Sequence, residues 1–199
     1  MTNHSFWQLI EASIDFSKGE REQQLEFLQK ELQKLSADEI LNYCTYMMHL
    51  LKKACNPTFW ICFFNMNGGY EEWGFEDFRY WLISKGELFW NHSLDNPIEF
   101  LYENIHFNDG DNPDVTYYEF WSVFKIAYEE KKKSSLAQEM GWTKIYEEVQ
   151  NCEMDLEKSM RTQYDIQNIK KMYPHFYEKF YQKYYQLIKL YHNRKKEVD

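Results

Sequence analysis

The sequence predicts an all-α protein, and three observations carry that expectation. Glycine (7) and proline (4) are scarce in 199 residues, too few for a sandwich or barrel that turns every ~8–12 residues. Several segments place apolar residues at the helical period, i, i+3, i+4 and i+7. Helix start and stop signals punctuate those segments. With 44% apolar and 28% charged residues, the chain has material for a core and a wet surface, which excludes a disordered chain. The expected architecture is a single-domain multi-helix bundle over residues 1–199, of about seven to nine helices.

Phe6, Leu9, Ile10 and Ile14 share one helical face, and Gly19 follows as a stop. Leu25, Leu28, Leu32 and Leu35 then repeat inside a charged segment, so one stripe is buried. Ser36-Ala-Asp-Glu39 is a capping box. It opens a helix with Ile40, Cys44, Met47, Met48, Leu51 and Cys55 on one side. Asn56-Pro57 ends that helix, and Pro57 suits the first turn of the next, over about 58–66. That segment is apolar nearly all round (Phe59, Trp60, Ile61, Phe63, Phe64) and belongs at the centre. Asn67-Gly68-Gly69 closes it. A helix follows from Phe75 to Ser84, with Gly86 as an αL stop. Past Pro97 the pattern weakens into a polar loop, Asn108 to Asp114. Tyr117, Trp121, Phe124 and Tyr128 restore a stripe that ends at Lys131-Lys132-Lys133. Trp142, Ile145, Val149, Cys152, Leu156 and Met160 mark another helix, and a last one runs from Pro174 to about Asn193.

Net charge is −9, but unevenly distributed. Residues 170–199 hold 8 basic and 3 acidic side chains, whereas residues 1–169 hold 15 and 29. An acidic surface repels phosphates and anionic lipid, so neither nucleic acid nor membrane is an expected partner. The start of the chain lacks a basic region followed by an apolar run. The densest apolar stretch, Phe59 to Phe64, is far shorter than the ~20 residues of a membrane helix. The cysteines Cys44, Cys55, Cys62 and Cys152 form no C-x-x-C and read as reduced thiols of a cytoplasmic protein.

Frequent catalytic signatures are absent: no G-x-x-x-x-G-K-[ST], G-x-G-x-x-G, H-E-x-x-H or G-x-S-x-G occurs. Glu103-Asn-Ile-His106 has di-iron spacing, but such bundles need a second copy and two further glutamates. Asp109 to Asp114 fails as a calcium loop, because Pro113 and Asp114 stand where Asp/Asn and Gly are needed. No metal and no cofactor is expected. The C-terminal segment interleaves Tyr173, Phe176, Tyr177, Phe180, Tyr181, Tyr184, Tyr185 and Tyr191 with Lys179, Lys183 and Lys189. Stacking on single strands is one reading of that mixture. A broad face packed on the bundle, with lysines along its wet side, fits the acidic chain better.

The sharpest feature is Arg79. At about 100° per residue from Phe75, Arg79 falls at roughly +40°, between Phe75 and Ile83 and inside the apolar arc. A guanidinium there needs a carboxylate, a set of carbonyls or a ligand anion. It either pins a loop, such as the Gly68-Gly69 turn, or belongs to a site. Trp81, at the edge of the arc, would wall a pocket.

Asn67-Gly68-Gly69, then Gly74-Phe75, Phe78-Arg79, Trp81-Leu82-Ile83 and Gly86 resemble the signature of a bacterial domain-of-unknown-function family, number 4240. Phe6-Trp7, Leu9-Ile10, Ser36 to Ile40, Trp60, Tyr128-Glu129-Glu130 and Tyr173-Pro174 extend the likeness over most of the chain. Glu71 and Glu72 keep the acidic character that follows the double glycine, and Trp73 departs from it. The resemblance implies a bacterial, mostly helical, cytoplasmic protein and carries no activity. Residues 1–105 would form the core bearing this motif, with 106–199 packed on it. The expected function is a non-enzymatic protein-interaction module of immunity or regulatory type with a protein partner. The alternative is an enzyme or a small-molecule or anion binder built on Arg79, Trp81, Asn67, Gly68, Gly69, Glu71 and Glu72.

Overall fold

The structure, a computed structural model, describes residues 3–67, 74–106, 114–141, 143–163 and 170–182. Gly68, Gly69, Glu71, Glu72, Trp73, Asn108 to Pro113, Trp142, Lys183, Tyr184, Tyr185, Lys189 and Tyr191 lie outside these residues. The described chain is helical, with no strand among the described residues, and the fold is all-α and multi-helix.

Helix α1 (Asn3–Ser17) buries Phe6, Trp7 and Ile10. Lys18 and Gly19 (φ 50° and 97°) then turn the chain into α2 (Arg21–Leu32). Gln24 is buried there, and its Nε2 donates to Ser13 Oγ (3.1 Å) and to the Ser84 carbonyl (3.0 Å). That places a satisfied polar tie among α1, α2 and the end of the Arg79 helix.

The capping box forms as predicted: Ser36 Oγ accepts from the Glu39 amide and the Glu39 carboxylate accepts from the Ser36 amide. Helix α3 (Ala37–Lys53) follows, burying Ile40, Cys44, Met47, Met48 and Leu51. Asn56 Oδ1 caps α4 (Pro57–Met66) by accepting from Thr58 and Phe59 amides, with Pro57 in the first turn. Every residue from Phe59 to Met66 is buried, so α4 is the central helix its composition predicts. Helix α5 (Phe75–Ser84) starts after Gly74, whose φ of 120° suits glycine.

Two short helices follow, the second where the periodicity weakens past Pro97. They are α6 (Glu87–Asp95) and α7 (Pro97–Asn104). Each buries so few side chains (Trp90 and Ser93; Leu101) that no long stripe develops. Gly86 has φ 92° and ψ 169°, so it is not an αL stop; it is the N-cap of α6, in a positive-φ conformation that suits glycine. Glu103 lies in α7 and His106 beyond its end, so the E-x-x-H pair does not share a helical turn.

Helix α8 (Tyr118–Lys132) buries Phe120, Phe124, Ala127 and Tyr128, and Lys133 ends it in the left-handed region. It packs on α2, α3 and α5. Phe6 meets the rings of Trp7, Tyr43, Tyr46 and Phe124 at 5.2–6.2 Å. Contacts of this kind add about 0.5–1.5 kcal/mol each beyond area burial. Helix α9 (Leu136–Gly141), unread in the sequence, leads to α10 (Lys144–Gln163), which packs on α3. The final described element, α11 (Pro174–Phe176), continues as a π-helical stretch, Tyr177–Gln182, in place of the regular helix expected. Phe176 and Phe180 are buried there. A second small cluster joins Trp60, Ile61, Phe64 and Leu156 to Cys55, Tyr173 and Tyr181.

Candidate functional site

Arg79 is fully buried. Its NH1 donates to the Leu51 carbonyl (3.0 Å), its Nε to the Phe75 carbonyl (3.3 Å), and its NH2 to Glu153 Oε1. The guanidinium also lies over the Phe75 ring, 4.8 Å from its centre. The Leu51 contact follows from helix physics. The last carbonyls of a helix have no intrahelical donor. The Cys55 amide, four residues on, donates to the Lys52 carbonyl and not to Leu51. Arg79 therefore caps the last turn of α3 from another helix, with its positive charge at the negative end of the dipole. Glu153 supplies the countercharge from α10. One side chain thus ties α3, α5 and α10 together.

Burial raises the Glu153 carboxyl above the usual carboxylate range, Glu76 adds to that, and Arg79 pulls it back. Tyr80, next along α5, donates to Glu76 Oε1 (2.8 Å), and burial with the Glu76 charge raises its phenol further above its ordinary value. The Tyr80 ring stacks on Trp121 (5.7 Å, 10°). Beside them lies a cleft of about 230 Å³ whose lining includes Glu76, Tyr80, Trp121, Lys125, Tyr146 and Gln150.

Two further predicted residues, Asn67 and Trp81, are among the described ones. Asn67 closes α4, its amide donating to the Phe63 carbonyl (2.8 Å). Trp81 is buried, stacked on Phe78 and edge-on to Phe89, with the Lys85 ammonium over its ring. Glu153 was missing from the predicted set, though it falls three residues before Leu156 and four after Val149, on the apolar stripe itself. Among the described residues, Asn65 Oδ1 is a buried side-chain atom without a hydrogen-bond partner.

A larger groove, about 830 Å³, runs between α7 and the segment leading into α11. Ile98, Tyr102, Met172 and Phe176 line it with Glu99 and Glu103. Tyr102 and Met172 are 37% and 52% exposed, high for large apolar side chains. Lys179 donates to the Tyr102 carbonyl and sits over the Tyr102 ring (4.5 Å). Its ammonium is thus engaged on α7. Among the described residues no helix is long and apolar enough to cross a membrane, and no group of three or more His, Cys, Asp or Glu side chains could hold a metal ion.

This architecture defines an all-α protein stapled by a buried arginine. The family described as "Protein of unknown function (DUF4240)" matches residues 1–130, and the chain belongs to that family. No curated protein and no solved structure matches it.

Proposed function

We propose that the protein is a non-enzymatic protein-interaction module of immunity or regulatory type, working in a bacterial cytoplasm. The observation that carries this reading is the α7–α11 groove, lined by Ile98, Tyr102, Met172 and Phe176 and carrying the exposed carboxylates Glu99 and Glu103. Apolar area excludes water and supplies affinity, while charge selects the partner. A groove of this chemistry on an acidic chain suits a basic, apolar segment of another protein. The alternative, an anion site at Arg79, gains no support from a guanidinium engaged through all three nitrogens.

Affinity capture from cell lysate tests the proposal, with mass spectrometry for proteins and small ligands and Ile98→Asp and Met172→Asp as groove variants. A protein enriched by the wild type and lost from variants of unchanged Tm is the expected result. A small ligand in place of a protein, or a protein partner indifferent to both variants, would overturn it.

A further inference from the structure

We infer that Cys55 and Cys152 form a redox-modification site, a dithiol that a hydroperoxide converts into a disulfide joining the end of α3 to α10. The two residues are 97 positions apart in sequence, yet Cys152 Sγ donates to the Cys55 carbonyl at 3.3 Å, which sets the Cys152 thiol against the Cys55 backbone. Both are half-buried, so a small oxidant reaches them, whereas Cys44 and Cys62 are fully buried. The pair also sits on firm supports. Cys55 directly follows the turn that Arg79 caps, and Cys152 directly precedes Glu153, which Arg79 holds. The ion pair therefore anchors the backbone on either side of the two thiols.

The chemistry balances with a peroxide as oxidant. Burial raises the Cys55 thiol and keeps it protonated, which casts it as the resolving partner. The Cys152 thiolate attacks one peroxide oxygen; the O–O bond breaks, giving a sulfenic acid and, after protonation, water or an alcohol. The Cys55 sulfur then attacks the sulfenic sulfur, the S–O bond breaks, and water leaves with the Cys55 proton. Two thiols and one hydrogen peroxide become one disulfide and two waters. Reduction by a dithiol reverses the change. The site does not depend on the interaction reading, although Cys55 packs on the same small cluster as Tyr173, a residue of the groove wall.

The test uses the reduced full-length chain treated with stoichiometric hydrogen peroxide, then alkylated and digested for mass spectrometry. A Cys55–Cys152 linked peptide is expected, with Cys44 and Cys62 still alkylated after denaturation. A crosslink closing so long a loop should raise Tm by roughly 5–15 °C, and dithiothreitol should reverse it. Cys152→Ser keeps an O–H donor for the Cys55 carbonyl, so it should match the wild type's reduced Tm and show no peroxide-induced rise. Cys44→Ser should leave the peroxide response intact. Four alkylatable thiols after treatment would overturn the inference, as would over-oxidation of Cys152 without the link, or disulfides only between molecules.

Discussion

Replacing Arg79 by alanine is the perturbation whose consequence the structure bounds most tightly. The variant strands the Leu51 carbonyl, worth about 1–3 kcal/mol for a buried acceptor left unpaired. It also leaves Glu153 without its cation. That carboxylate is 24% exposed, so water recovers part of the loss and the total should fall at about 3–5 kcal/mol. For a chain of this length that corresponds to a Tm drop of roughly 6–20 °C. Equilibrium urea unfolding at constant m-value, with calorimetry, measures both quantities. The deficit should shrink on acidification. Without Arg79 the Glu153 carboxyl rises further, and a carboxyl raised in the folded state stabilises below its unfolded pKa and loses that contribution as pH rises through the folded one. Adding Glu153→Ala to Arg79→Ala should cost much less than Glu153→Ala alone, the signature of a coupled pair. Arg79→Lys should recover only part of the loss, because an ammonium cannot span three acceptors with a planar fork. A deficit below about 1 kcal/mol at neutral pH would refute the staple.

Ser36→Ala should lower stability by about 1 kcal/mol, read by urea unfolding, because it removes the acceptor for the Glu39 amide at the start of α3. Gly86→Ala should be destabilising by roughly 1–3 kcal/mol, since φ is 92° and the new Cβ would meet Glu11 Oε1 at 2.4 Å. Glu11 in turn accepts from the Glu87 amide, so a Glu11→Ala background should relieve the clash without relieving the backbone strain. Asp77→Asn should raise Tm at pH 7. Burial first, then Glu76 and Glu119, raise the Asp77 carboxyl, so the wild-type group stabilises most when protonated and loses that contribution as pH rises through its folded pKa. The gain should therefore vanish at about pH 3, and a gain that grew on acidification would contradict the assigned direction.

Much of this was legible because it depended on near neighbours. Ser36 with Glu39, and Asn56 with Pro57, set the starts of α3 and α4 through side chains that bond amides two or three residues away. The burial of Arg79 followed from its angle on α5. Its partners did not, since a helical angle shows that a countercharge is needed and not which helix supplies it. Glu153 lay in plain sight among apolar neighbours on α10, a misplaced charge answering the one on α5. Helices α6 and α7 were missed for the opposite reason: the pattern depends on burial, and each leaves most of its surface to solvent. The π-helical stretch at Tyr177–Gln182 was illegible because an aromatic run reads as a broad helical face at either winding. The Cys55–Cys152 contact spans nearly half the chain, and thiol spacing is silent at that range.

The Arg79 bond to Leu51 has a consequence for where the cooperative folding unit ends. The family match stops at residue 130, whereas the carboxylate that neutralises Arg79 sits at position 153. A fragment cut at the match boundary would keep the guanidinium and both carbonyl acceptors but leave the cation without its carboxylate and without the helix that covers it. Amide exchange in the last turn of α3 should then report on the docking of α10, a helix distant in sequence, because neither can open without uncovering the same cation.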